Sequence, residues 1–279
     1  MIKMNRPNLV ARDVFETCIS RIRDQNLKQR LVSVTDHVVT ASEEFDNLSS
    51  TNRLYRIVKH DVVGGIVTKA EMEAVYKQRM AKKGAPGRGA YDELINSAPQ
   101  GKCPLCGQRT VSTLDHHLPK THYPALAVVP LNLVPACTDC NKSKLASVPT
   151  NASEETLHPY YDNIQEDRWL YAEVIEGSPA ALRFYVEAPD HWDDVLASRV
   201  ALHFRVLNLG TLYAAEAADE LLNIRHQLRS IHELGGSELV RREMKDRANS
   251  CRQARLNGWR TVTFEAFVQS EWFCDGGFD

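Results

Sequence analysis

The chain predicts an α+β fold, mostly helical, with a small zinc-bound module set between helical N- and C-terminal regions. Three observations predict it. Apolar residues recur at helical spacing over long stretches on both sides of the middle of the chain. Four cysteines form two Cys-x-x-Cys pairs, Cys103/Cys106 and Cys137/Cys140, the spacing of one tetrahedral zinc site. Strand-like runs are few and short. The regions divide as 1–98, 99–150 and 151–279.

Taken in order, Leu9, Val10, Val14, Phe15, Cys18, Ile19 and Ile22 predict an amphipathic helix over 8–31. Further helix is expected over 31–60, with a polar break at Asn47-Leu-Ser-Ser-Thr-Asn. Val62-Val-Gly-Gly-Ile-Val reads as a turn. Thr68-Lys-Ala-Glu is a capping-box pattern and predicts a helix to about Met80. Residues 81–90, Ala-Lys-Lys-Gly-Ala-Pro-Gly-Arg-Gly-Ala, are the clearest loop. They are basic, and read either as an exposed connection or as a contact to a phosphate backbone. A short helix over 91–97 leads into the cysteines. Residues 110–116 alternate like a strand that ends on Asp115-His116. Residues 169–175 and 181–187 predict two strands around Glu176-Gly-Ser-Pro179. Helices follow near 191–207, 211–233 and 237–255. Gly235-Gly236-Ser237 parts the last two, with Ser237 as an N-cap.

Bulk properties narrow the class. The 279 residues are 43 % hydrophobic and 25 % charged, ordinary for a globular protein. No run approaches the roughly 18 apolar residues of a membrane span, and the N-terminus lacks an apolar signal core. The expectation is a cytoplasmic protein without a membrane contact. Seven cysteines, four of them at metal spacing, argue against a disulfide framework and leave Cys18, Cys251 and Cys274 as plain thiols. The net charge of −2 conceals a pattern: +4 over 1–98, +3 over 99–150, −10 over 151–220, +5 over 221–260 and −4 over 261–279. The basic front half suits a polyanion. The acidic block 151–220 suits solvent or a protein partner.

Zinc held by four thiolates has no open position, so Cys103, Cys106, Cys137 and Cys140 predict a structural site. The chemistry must come from the residues around them. Cys106 and Cys137 are separated by 30 residues, longer than the roughly 15–20 of a simple zinc ribbon. The insert carries Asp115, a hard oxygen ligand, His116, an adjacent base, and the amide of Asn132. Asn141 follows the last cysteine, where Asn141-Lys-Ser-Lys-Leu-Ala starts a helix. That set suits an oxygen-ligated metal and a water nucleophile. The zinc would pin the strand bearing Asp115-His116 against the helix start bearing Asn141. Lys120, Lys142 and Lys144 are candidate phosphate contacts. Taken singly, Asn132 and Asn141 suit turn and cap roles equally. His117 either assists the metal or phosphate or, as the strand's alternation favours, points to the other face. His122 either approaches the site or lies on a loop surface. His158-Pro-Tyr-Tyr-Asp162 reads either as a segment closing over the active site or, preferably, as a chain turn packed by Tyr160 and Tyr161.

Cys-x-x-Cys, Asp-His-x-x-Pro, Asn-Leu-Val-Pro and Cys-x-x-Cys-Asn together resemble the HNH (ββα-metal) endonuclease family in its four-cysteine zinc form. The resemblance covers residues 101 to about 146. It implies that Asp115 ligates a catalytic divalent ion, that His116 is the general base, and that Asn132 braces the loop holding His116. It places Asn141 where many members carry histidine, a His-Asn-Asn variant. An Asp115 and Asn141 pair favours Mg²⁺ or Mn²⁺ there. The implied activity is hydrolysis of phosphodiester bonds in DNA, by nicking or double-strand cleavage, with 5′-phosphate and 3′-hydroxyl products; RNA stays open as a substrate. A homodimer is the simplest way to cut both strands, and a nickase is equally consistent. Large helical flanks also resemble bacterial anti-phage effectors, in which 151–220 would dock a partner or activator. The competing class is a non-catalytic, zinc-stabilised DNA- or protein-binding adaptor.

Overall fold

The apolar stripe over 8–31 forms two helices where one was expected. In the computed structural model, which describes residues 1–144 and 148–279, α1 spans Ala11–Ile19 and α2 spans Gln25–Ser33. Asp24 makes the division. Its carboxylate accepts from the Leu27 N–H at 3.1 Å and so starts a second helix. α3 (Thr35–Ser49) ends in the polar stretch that predicted its end. Phe15, Cys18, Val38 and Phe45 from α1 and α3 lie at the centre of one hydrophobic core.

β1 (Val62–Val63) and β2 (Val67–Thr68) pair antiparallel around Gly64 and Gly65, both at positive φ, so the expected turn is a hairpin tip. The capping box forms: Thr68 and Glu71 satisfy each other's backbone N–H and start α4 (Lys69–Ala74). Arg30 grips the same Glu71 carboxylate at 2.6 and 3.0 Å, holding its carboxyl down to about 2. The chain continues as a π-helical segment, Val75–Ala81, so the helix reaches its expected end with a wider turn. α5 (Arg88–Asn96) begins about one turn earlier than predicted. Arg88 pairs with Asp92 and donates to Ala81 O, while the Gly87 N–H reaches Arg79 O at 2.9 Å. Gly87 is obligatory here, because a Cβ would lie 2.3 Å from Cys18 Sγ.

β3 (Thr113–His116) and β4 (Leu133–Ala136) pair antiparallel, with Asp115 opposite Val134 and His116 opposite Leu133. α5 packs on both strands, and α6 (Thr138–Lys144) packs on β3. α6 starts at Thr138, not at Asn141, because the Asn141 N–H already bonds Cys137 O at 3.1 Å. Leu145 and Ala146, expected to continue this helix, lie outside the described residues. All these elements belong to one compact unit, Met1–Asn163. Residues 1–98 and 99–150 therefore share a unit, and residues 151–163 belong with them.

The second unit, Ile164–Asp279, holds β5 (Leu170–Ile175) and β6 (Ala181–Val186), the predicted hairpin. α7 (Asp194–Val206) is capped by Asp193. α8 runs Leu209–Ala254 and breaks at Gly236 (φ 65°, ψ −161°), within the expected separator. α9 (Trp259–Gln269), which no sequence signal announced, packs on α8 and β5. Trp169, Phe264, Phe267 and Phe273 are buried in this unit, the last two stacked at 3.9 Å. Among the described residues no helix is long and apolar enough to cross a membrane.

Candidate active site

The first cysteine pair sits on a tight knuckle. Cys103 N–H donates to Arg109 O at 2.8 Å, and Gly107 N–H donates to Cys103 O at 2.7 Å. Gly107, at φ 69°, makes that turn possible. Cys137 directly follows β4, and Cys140 lies in the first turn of α6. Backbone N–H groups of Arg109 and Cys140 point at the sulfurs of Cys106 (3.5 Å) and Cys137 (3.4 Å). All four cysteines are buried, and their Sγ atoms lie within 4.8 Å of one another. Tetrahedral zinc with Zn–S bonds of about 2.3 Å needs sulfurs about 3.8 Å apart, so this cluster could hold one structural zinc. Contact with its fellow cysteines pushes Cys103 and Cys140 up and pulls Cys106 and Cys137 down, Cys137 to about 6. Four thiolates can share this space only around a cation.

Asp115 and His116 end β3, and both are buried. His116 Nε2 lies 2.9 Å from Ala127 O. A carbonyl only accepts, so Nε2 carries the proton. Nδ1 then holds the lone pair, and it has no hydrogen-bond partner among the described residues. Tyr76, from the π-helical segment, packs edge-on against the ring at 4.4 Å between centroids. Burial first, then the charge of Lys120, pushes the imidazole down to about 3, so His116 is neutral at physiological pH.

Lys144 occupies the centre of the site. Its ammonium donates to Asp115 Oδ2 (2.8 Å), His117 O (2.7 Å) and His116 O (3.1 Å), which accounts for all three of its N–H bonds. It is 7 % exposed. The sequence placed Lys144 on a phosphate; the structure turns it inward, because a buried carboxylate and two strand-end carbonyls need a donor there. Burial pushes the Asp115 carboxyl up, and Lys144 opposes that shift. Asp115 Oδ1 accepts from none of the described residues. Asn141 precedes Lys144 by three residues and so shares its helix face. Lys142 is exposed on α6, and Lys120 is half-buried with Nζ 5.3 Å from the Tyr76 ring centroid.

Asn132 closes the loop that carries these contacts. It is fully buried; its Oδ1 accepts from Leu118 N–H (2.7 Å), and its Nδ2 donates to Leu118 O (3.0 Å) and Leu126 O (3.2 Å). Ala127, the partner of His116, sits next to one clamped carbonyl. Asn132→Ala strands three buried backbone groups and should lower stability by about 2–4 kcal/mol in urea unfolding. A loss under about 0.5 kcal/mol would show that the clamp is dispensable.

His117 packs on the far side, against Phe45 and His158. His158 belongs to a turn fixed by Asp162 Oδ2 on its own N–H and by the Tyr160 hydroxyl on Leu133 O. His122 meets the rest of the unit through its carbonyl, which accepts from His60 N–H. Sequence reasoning missed Tyr76 and the Ala127 carbonyl, which no motif marks. The inward role of Lys144 had a usable signal, the three-residue spacing from Asn141.

The His116 shift carries a sign for stability. The folded state keeps this ring neutral down to about pH 3, whereas the unfolded chain protonates it near 6.5. Its contribution is present above pH 6.5 and is lost as pH falls toward 3. Going from pH 7 to pH 5 should cost about 2 kcal/mol through this group, read as a shift in the urea midpoint. His116→Gln should flatten that slope; an unchanged slope would exclude His116 as its source.

No family model matches the chain, and no solved structure matches it. The chain is 27 % identical over 296 residues to protein ea31 of Escherichia phage lambda, an alignment covering 99 % of this chain and 100 % of that protein. The likeness therefore extends well beyond the cysteine module, over both compact units. The relative's name describes no chemistry.

Proposed function

We propose that the chain is a metal-dependent endonuclease of the HNH type, hydrolysing phosphodiester bonds in DNA. The observation that carries this reading is the state of His116. A neutral imidazole, fixed in one tautomer by Ala127 O, has its basic nitrogen without a hydrogen-bond partner among the described residues, next in sequence to a buried carboxylate.

In this reading His116 Nδ1 takes a proton from water, the water oxygen attacks phosphorus, and the bond to the 3′ oxygen breaks. The departing oxygen takes a proton from solvent, leaving a 3′-hydroxyl and a 5′-phosphate. The low basicity of His116 comes partly from Lys120 and Lys144. An anionic phosphate beside Lys120 would offset its charge and strengthen the base. Asp115 Oδ1 and the Asn141 amide, completed by waters, fit a hard divalent ion such as Mg²⁺ or Mn²⁺. When bound, that ion would supply charge neutralisation at the phosphate. Lys144 opposes the upward push of burial on the Asp115 carboxyl and orients it.

One observation favours a second reading, a non-catalytic zinc-stabilised adaptor: Asp115 already spends one oxygen on Lys144. Plasmid DNA incubated with the purified chain in Mg²⁺, Mn²⁺ or EDTA separates the two. Nicked or linear product with either metal and none in EDTA supports the nuclease. DNA retention on a gel without cutting under any condition supports the adaptor.

A further inference from the structure

We infer that a basic cleft in the first unit is a track for the phosphate backbone of DNA, leading to His116; this deepens the nuclease reading and rests on it for the direction of the track. The cleft has a volume of about 580 Å³ and is lined by Arg21, Arg23, Asp24, Arg79, Lys82 and Lys83 among others. Five cations face one carboxylate. That carboxylate, Asp24, is engaged in capping α2. None of the five cations forms an ion pair among the described residues. Crowding like charges in a concavity raises the local potential, and a polyanion relieves the repulsion.

A solvated basic surface is the plainer account of such residues, but two features argue for a built site. The loop that supplies Lys82 and Lys83 is held in place on both sides. Gly87 presses against Cys18, and Arg88 ties α5 back to Ala81 O. The cleft is also joined to the candidate active site by one element. Val75–Ala81 sets Tyr76 against the His116 ring, and the same segment presents Arg79 to the cleft. From Tyr76 to Lys82 the chain advances at most about 9 Å, the α-helical rise being an upper bound for this wider turn, which is two to three base steps of one strand. Lys120, over the Tyr76 ring, lies at the His116 end of this path. The spacing fits one strand held by its phosphates at the cleft while a phosphate a few nucleotides away meets His116.

The test is binding of a labelled DNA duplex of about 20 base pairs by the full chain in EDTA, followed by fluorescence anisotropy across a salt series. Lys82→Gln/Lys83→Gln is compared with Arg53→Gln/Lys59→Gln, which removes two exposed cations elsewhere in the same unit. All four positions are exposed, and thermal melting checks that both variants fold. The cleft variant should bind about tenfold more weakly near 0.1 M salt, with the slope of log K against log salt smaller by about 1.8. The control variant should match wild type. Equal affinity and slope for the cleft variant would overturn the inference, as would an equal loss in the control, or no DNA binding by wild type at low salt. Plasmid cleavage is scored separately. A chain that cuts DNA while the cleft variant binds normally loses the cleft and keeps the nuclease. Binding that depends on Lys82 and Lys83 without any cutting keeps the cleft and loses the nuclease.

Discussion

In the proposed nuclease, the His116→Ala chain should cut plasmid DNA about 10²- to 10⁴-fold more slowly than wild type in Mg²⁺, the range a positioned general base supplies. Its zinc content should equal that of wild type, because the candidate zinc ligands are the four cysteines alone. Alanine removes three things at once: the basic nitrogen, the bond to Ala127 O, and the ring packed on Tyr76. A second variant separates chemistry from structure. His116→Gln can still donate an amide N–H toward Ala127 O, but it offers no nitrogen that accepts a proton near neutrality. It should therefore fold like wild type and remain as inactive as the alanine chain. Added imidazole should restore part of the rate to His116→Ala, which leaves a ring-sized space, and none to His116→Gln. Cleavage by His116→Ala at the wild-type rate would remove His116 from the mechanism.

How far the sequence carries can be judged from particular residues. The cysteine cluster is legible because metal spacing is a local pattern with few other causes. The ends of α3 and the start of α4 are legible because caps and breaks act within a turn or two of their own sequence. The division of 8–31 into two helices is not, because the apolar stripe runs across Asp24 and periodicity outvotes one capping residue. The contacts of His116 are opaque for another reason. Tyr76 and Ala127 reach it through tertiary packing, from 40 residues before it and 11 after it. A tyrosine in a helix and a backbone carbonyl carry no motif. Lys144 shows the limit most clearly. Its composition says surface cation, yet Asp115 and two carbonyls make the buried position favourable for it. Charged residues are placed by partners, and partners distant in sequence are not visible in it.

Loss of the zinc should be the most damaging change to the first unit. Cys137→Ser should reduce bound zinc from about one per chain to none and lower stability by about 5 kcal/mol or more, since structural zinc contributes roughly 10–16 kcal/mol of apparent binding energy in small domains. For a unit of this size that corresponds to a fall in Tm of about 10–20 °C. The position explains why the effect is large. Cys137 joins the end of β4 to the start of α6, and its partners Cys103 and Cys106 lie on the knuckle ahead of β3. Among the described residues α6 is tied to the strand region by the sulfur cluster, by Thr138 on Ser112 and Asp139 on Arg109 at its start, and by the Lys144–Asp115 ion pair at its end. With the sulfurs released, the half-exposed Asp139–Arg109 pair and the Thr138–Ser112 contact contribute little, and the buried Lys144–Asp115 pair roughly balances its own desolvation, so these contacts cannot replace the lost tie. Asn141 lies on α6 between the cysteines and Lys144, so in the proposed nuclease its placement is lost with the zinc, and cleavage should be lost with it. Zinc-loaded wild type and the Cys137→Ser chain, compared by metal analysis, thermal melting and proteolysis across residues 99–144, decide the matter. Equal zinc in both, or an unchanged Tm after zinc is lost, would mean that the helical core of the unit, and not the cysteine cluster, holds the site together.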